Sequence, residues 1–388
     1  MAYIASNENR LYTGLESAPG VVPAIEAGNR FPAVKLSVRQ KLEVPVRKDK
    51  TGTRSFAGTP PGYRRQTSYQ LTTYLTSWLQ QNSQPGYGPL FQAALGGSAQ
   101  IWGGGSVTSA SGTTVTFAGE HGLNPGQAVA MGGEIRFVTS VSSPQAIEVN
   151  APFSVSAAAG GTAVPTITWR AAKSLGTVSL FDYWSPTAAM QRIVSGAAVD
   201  EFKISINSDF HEFEFRGPAR DVIDGASFTA DQGAMNAFPD EPAQQAWDAA
   251  IVPGHLGQVW IGSVAERFYT LTSAEIRVGN DIDSRSREFG FEGTRAVSAG
   301  QRRVAVDFDL YAGDDESTKG LYAAARQRSP LQVMFQLGER TQQLFGVFLK
   351  SVVPELPEYD DSDNRLSWKF RDCRAQGSGD DEIIIAFA

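Results

Sequence analysis

The segments Glu212-Phe213-Glu214-Phe215-Arg216 and Ser367-Trp368-Lys369-Phe370-Arg371 decide how this sequence is read. Each alternates aromatic with polar residues and finishes on arginine. A period of two belongs to a half-buried β-strand, whose successive side chains point to opposite faces of a sheet. The same alternation recurs in Val34, Leu36, Val38; in Leu71, Thr73, Leu75; in Phe202, Ile204, Ile206; in Ala274, Ile276, Val278; and in Val304, Val306, Phe308, Leu310. Helical signals are sparse. Pro89 suits a first helical position ahead of Leu90, Phe91, Ala94 and Leu95, with a stop at Gly96-Gly97. A second helix is expected over 317–328, with Leu321, Tyr322 and Ala325 on one face and Pro330 beyond, and a third over 243–250. Composition agrees: 39 Gly, 20 Pro and only 19% charged residues in 388 favour turns and strands, while 41% hydrophobic residues exclude a disordered chain. The fold class expected is mainly β, sandwich or barrel, with short helices.

The two quoted segments close two passes through one order of elements. The first pass is a strand at 33–40, a long polar loop, a strand at 68–77, a helix near 89–95, and paired strands at 199–206 and 211–216. The second is a strand at 273–278, a loop, a strand at 303–311, the helix at 317–328, and strands at 344–353 and 365–372 joined by the acidic turn Asp360-Asp361-Ser362-Asp363-Asn364. This pattern predicts a fused duplication. From 103 to 165 the composition shifts to Gly, Ser, Thr, Ala and Val, with turn signals at Gly122-Leu123-Asn124-Pro125-Gly126 and Met131-Gly132-Gly133-Glu134. Strands are expected there over 113–117, 128–130, 134–141 and 146–149, a small all-β module inserted into the first copy on Gly/Ser flanks that resemble flexible joints. The expected division is a first β domain over 1–102 and 166–225, the inserted domain over 103–165, and a second β domain with its linker over 226–388.

The single cysteine, Cys373, excludes an intramolecular disulfide and a Cys-based zinc site. The start Met1-Ala2-Tyr3-Ile4-Ala5 lacks a basic region followed by an apolar run, so folding in a cytoplasm is expected. The uncharged stretches 91–119 and 149–169 are too rich in Gly, Ser, Thr and Pro for membrane helices. A net charge of -7 argues against a protein that grips nucleic acid by its phosphates. The charge is unevenly spread: residues 30–80 hold ten basic against two acidic side chains, and residues 354–388 hold nine acidic against four basic. Opposite poles on one chain suit head-to-tail self-association, because complementary patches set register.

Chemistry-bearing constellations are weak. His121, His211 and His255 lie in three segments without metal-ligand spacing, and Asp360, Asp361, Asp363, Asn364 is followed by Arg365 where a calcium loop wants glycine. Glu212 and Glu214 share a strand face at a spacing that loosely mimics an acid/base carboxylate pair; the solvated edge of a hairpin is the better reading. Gly103-Gly104-Gly105 lacks the Lys-Ser/Thr of a phosphate cradle. No active site, metal or cofactor is expected, nor is an enzyme. The basic loop carrying Arg39, Arg47, Lys48, Lys50, Arg54, Arg64 and Arg65 has only Phe56 and Tyr63 as aromatic neighbours and reads as a protein-contact loop.

Taken together, the pattern resembles the tail tube proteins of long-tailed bacteriophages. It rests on Leu11-Tyr12-Thr13-Gly14-Leu15-Glu16-Ser17-Ala18-Pro19-Gly20, similar to their N-terminal arms, on the long loop between two strands, on the short helix at 90–95 ending in Gly-Gly, and on the segment 199–217. The resemblance covers most of the chain outside 103–165. It implies a structural virion protein without enzymatic activity, assembled in the bacterial host cytoplasm into the virion tail. Rings would close into a continuous β-barrel and stack through the long basic loop, around a lumen that passes the tape-measure protein and DNA without specific binding and with no membrane contact. With two copies per chain the ring is expected to be a pseudo-hexameric homotrimer, the alternative being a homohexamer. Glu212, Glu214, Asp360, Asp361, Asp363, Asp380, Asp381 and Glu382 become acidic contact or lumen candidates. Rival readings are a tail-terminator or baseplate protein, and a β-rich carbohydrate-active enzyme.

Overall fold

The computed structural model describes residues 4–5, 7–56, 58–59, 62–154, 161–184, 190–207, 209–243 and 249–388. The chain is mainly β. One antiparallel sheet forms a nearly closed, barrel-like surface. Its long path runs Glu358–Asp360, Ser367–Ala375, Arg303–Tyr311, Leu271–Gly279, Glu201–Ile206, Glu212–Ala219, Arg64–Tyr74 and Ala33–Glu43. Along each strand apolar residues alternate with polar ones. Phe202, Ile204, Phe213, Phe215, Ile276, Val278, Val306, Phe308 and Phe370 turn to the core, and their neighbours form a polar outer face.

Two further groups of strands cover the core, the second continuous with this sheet where Val352 and Val353 pair with Ala375 and Arg374. In one, Asn9–Leu15 pairs with Val178–Trp184, which pairs with Met190–Ala197, which pairs with Asp221–Asp224. In the other, Gly257–Gly262 pairs with Leu331–Leu337, then Phe345–Val353, then Ile384–Phe387. Short strands, Arg30–Phe31 and Glu266–Phe268, flank Asn9–Leu15 and Gly257–Gly262 in the same way. Every one of these pairings in the first half has its counterpart in the second, in the same chain order. Even a local register shift recurs, between Ala33 and Lys35 in one half and between Leu271 and Ser273 in the other.

Helices follow the second long strand of each half. Helix α1 (Gly88–Leu95) is apolar almost all round and therefore buried, with Gly96 as a left-handed cap at φ 91°. A Cβ at Gly96 would meet the Ser174 carbonyl oxygen at 2.5 Å, so that position admits only glycine without a shift. Helix α2 (Glu316–Gln327) is amphipathic, with the Asp315 side chain accepting the Thr318 N–H at its start and Leu321, Ala324 and Ala325 buried. The third helix expected over 243–250 falls largely on 244–248, outside the described residues.

One hydrophobic core serves both halves. Phe91 is its hub: its ring lies 5.3–5.7 Å from Phe202, Phe213 and Phe215 of the first half and 5.9 Å from Phe345 and Phe387 of the second. Two expectations need correction. The strand at 344–353 is not the partner of 365–372 across the acidic turn: only Val352 and Val353 touch Ser367–Ala375, and Glu358–Asp360 forms the hairpin arm instead. Pro354 and Pro357 lack the N–H groups that a continuous ladder needs, so the chain steps from one layer to the other there.

The strands that lead into and out of the inserted module are not flexible joints either, residues 155–160 lying outside the described residues. Gln100–Trp102 and Thr166–Arg170 pair with each other, and the latter pairs with Ile384–Phe387. The module's own sheet joins Gly161–Ala163, Gly105–Ser111, Thr114–Phe117, Ala146–Val149, Glu134–Ser143 and Ala128–Met131. One face of it is docked onto the second half, where Ile135 and Phe137 pack with Trp260, Met334 and Phe348. Phe137 and Phe348 stack at 5.5 Å, and the buried Gln336 side chain donates to the Gly133 carbonyl and accepts from the Ile135 N–H.

Truncating the hub is expected to destabilise both halves together. Phe91→Ala should cost about 3–5 kcal/mol in urea unfolding, with the whole transition moving as one. Two separate transitions would contradict a shared core.

Candidate assembly surface

The polar face of the long sheet is laced by ion pairs across neighbouring strands. Arg216 binds Glu201, Lys203 binds Glu275 at 2.5 Å, Arg277 binds Asp307 at 2.8 Å, Arg371 binds Asp309, and Lys369 binds Asp360 at 2.5 Å. The Lys369 ammonium, with help from the Ser362 hydroxyl and N–H, holds the Asp360 carboxyl well below the usual carboxylate range. Glu212 and Glu214 share this face opposite Ser205 and Lys203, and no ion pair engages either among the described residues.

Two strands beside this polar face have a free side. Ala33–Glu43 pairs on one side only, with Arg64–Tyr74, and Glu358–Asp360 pairs on one side only, with Ser367–Ala375. Lys35, Arg39 and Lys41 point to the polar face of the first edge; Glu358 lies on the second, and none of these four joins an ion pair among the described residues. An unpaired strand edge offers a row of free N–H and C=O groups, the surface that natural proteins cover or pair.

The basic loop candidates separate into three situations. Arg47, Lys48, Lys50 and Arg54 lie exposed between Ala33–Glu43 and Arg64–Tyr74, with Arg47 clasping Asp49 at 2.5 Å. Arg39 and Arg64 sit within the two strands, Arg64 opposite Glu43. Arg65 is spent inside the chain: its guanidinium binds Asp221 at 2.8 Å and approaches Glu292 at 3.7 Å, tying the hairpin base to its neighbours. The acidic candidates also divide. Asp361 and Asp363 are exposed in the turn, whereas Asp380 and Glu382 bind Arg302 and Asp381 binds Lys350. Lys350 keeps the Asp381 carboxyl below its ordinary range.

Glu358 and Lys35 were not singled out by sequence reasoning, although aligning the two closing hairpins puts Glu358 at the place of Lys203. Among the described residues no His, Cys, Asp or Glu cluster could hold a metal ion, and no helix is long and apolar enough to cross a membrane. No protein-family model matches this sequence, and no curated protein is similar to it.

His211, at the foot of the closing hairpin, is buried; its Nε2–H donates to the Leu256 carbonyl at 3.1 Å, and Nδ1 has no partner. Burial pushes its pKa down to about 4, since a second N–H would be stranded there. The unfolded chain, titrating near 6.5, binds the proton first, so stability should fall as pH drops from about 6.5 to about 4, by on the order of 3 kcal/mol. His211→Asn should flatten that part of a stability–pH profile; an unchanged slope would assign it to other groups.

Proposed function

We propose that this protein is a structural subunit of a bacteriophage tail tube, acting by self-assembly and without catalysis. The observation that carries the reading is the long sheet itself. Two tandem passes of one topology are joined edge to edge, leaving a free strand side lined by Lys35, Arg39 and Lys41 and another that carries Glu358 and Asp360. A sheet of this kind is completed by other copies of itself, because closure into a ring is the arrangement that leaves no edge unpaired. Two passes per chain make three chains the natural count for a ring of six repeats.

In this reading the polar face lines a lumen. Its cross-strand ion pairs leave cations satisfied by neighbouring carboxylates, which suits a wall that DNA and a tape-measure protein must pass without being held. The exposed loop with Arg47, Lys48, Lys50 and Arg54 projects from the sheet end and is the contact between stacked rings. The tail of the virion is then the protein's place of action, reached by assembly in the host cytoplasm. A carbohydrate-active enzyme finds less support, since Glu212 and Glu214 lie on an open strand face among strand neighbours.

Negative-stain electron microscopy of the purified protein tests the reading: stacked rings or tubes are expected, and a monodisperse monomer would contradict it. Rings that never stack would point to a terminator or baseplate role instead. Reversing Arg47, Lys48 and Lys50 to Glu should leave rings intact and abolish tubes at ordinary salt. Full-length tubes from that variant would remove the electrostatic role of the loop.

A further inference from the structure

The seam between the two halves of the chain is a template for a seam between chains. Within the chain, Glu201–Ile206 pairs with Leu271–Gly279 so that Lys203 faces Arg277, Ile204 faces Ile276 and Ser205 faces Glu275. The strand pairings identify the equivalent residues at the open ends. Ser205 faces Glu212 and Asp360 faces Ser367, each the last pair before its hairpin turn, so Lys203, Ile204 and Ser205 correspond to Glu358, Tyr359 and Asp360. On the other edge, Tyr74 faces Glu212 and Tyr311 faces Ser367; Lys35 then faces Thr72 where Ser273 faces Asp309. Ser37, Val38 and Arg39 therefore correspond to Glu275, Ile276 and Arg277.

We propose that Glu358–Asp360 of one chain pairs with the free side of Ala33–Glu43 of a second copy, with Glu358 opposite Arg39, Tyr359 opposite Val38 and Asp360 opposite Ser37. This rests on the ring reading above and adds its register. Two independent observations support it. Charge is complementary in this register: Glu358 meets Arg39 directly and Lys41 diagonally, and Asp360 lies diagonal to Lys35 and Arg39, whereas opposite charges across strands are stabilising. Exposure also marks the missing partner. Ile204 and Ile276, at the inner seam, are 0% exposed, while Tyr359, at the position of Ile204, is 59% exposed. A slip of one residue would turn Tyr359 to the polar face and Glu358 to the core.

Engineered disulfides read the register. Two double variants are made, Val38→Cys with Tyr359→Cys and Arg39→Cys with Glu358→Cys. Neighbouring opposite pairs alternate between close and wide spacing, so at least one of the two suits a disulfide. Leu36→Cys with Tyr359→Cys is the slipped control, and the wild-type chain, whose Cys373 is buried, is the background. After mild oxidation of the assembled protein, a matched pair should give a non-reducing gel ladder ending at a closed three-chain species, lost on reduction. The slipped pair should give none. In solution, Glu358→Arg should raise the concentration needed for ring formation several-fold, and adding Arg39→Glu should restore it. Cross-linking of the slipped pair, cross-links within single chains, or assembled rings with no cross-link from either matched pair would overturn the register while wild-type rings kept the tube reading. Absence of rings from the wild-type protein would remove both.

Discussion

The backbone pairing of Glu201–Ile206 with Leu271–Gly279 is the constraint on which the remaining architecture depends. It welds the last long strand of one repeat to the first of the next, so two repeats share one sheet and one core. Without it, Glu201–Ile206 and Leu271–Gly279 would each have an unpaired side. With it, the polar-faced strands keep a free side on Ala33–Glu43 and another on Glu358–Asp360, and these two carry opposite charge. Edge strands that are long and unpaired are hazards in a monomer and assets in an assembly. The seam also shows that these strands accept cross-strand pairing with ion pairs on one face and apolar packing on the other.

The layers behind the sheet meet a different demand. Their strands are apolar on both sides, and each needs a cover. In the first half the cover is built from Val22, Ile25 and the linker residues Phe228, Met235 and Phe238, packed on Tyr12, Phe181, Tyr183 and Ile193. Glu241 of the same linker clamps Arg10 and Tyr12. In the second half the cover is the inserted module, with Arg136 held over the Trp260 ring at 4.8 Å and beside Glu134 at 3.3 Å. Linker and insertion thus do the same physical work in the two halves, removing apolar strand surface from water. The module is an outer layer of the fold as well as an addition to it.

How much was legible follows from burial. Strands of the long sheet have one wet face, so Phe202, Ile204, Ile206 or Val304, Val306, Phe308 alternate with polar residues and could be read directly. The matched closing segments at 212–216 and 367–371 occupy equivalent places in the two hairpins. Val178–Trp184, Leu331–Leu337 and Ile384–Phe387 are buried along nearly their whole length, polar Ser179, Asp182 and Gln336 included, so no period of two marks them; of the strands in these layers, 344–353 was the one read from the sequence. The candidate assembly surface was legible in part. The charge poles were visible in the sequence, yet which charges are free depends on pairings such as Arg65 with Asp221 and Arg302 with Glu382, which join residues far apart in the chain.

Under the proposed closure by its own copies, a chain built as two equivalent repeats has a defined stoichiometry. Native mass spectrometry of the isolated ring measures it most directly. Three chains per ring are expected, each supplying two repeats to a sixfold barrel. A ring of six chains, or a stable monomer with no ring population, would contradict the equivalence of the inner seam and the open edges.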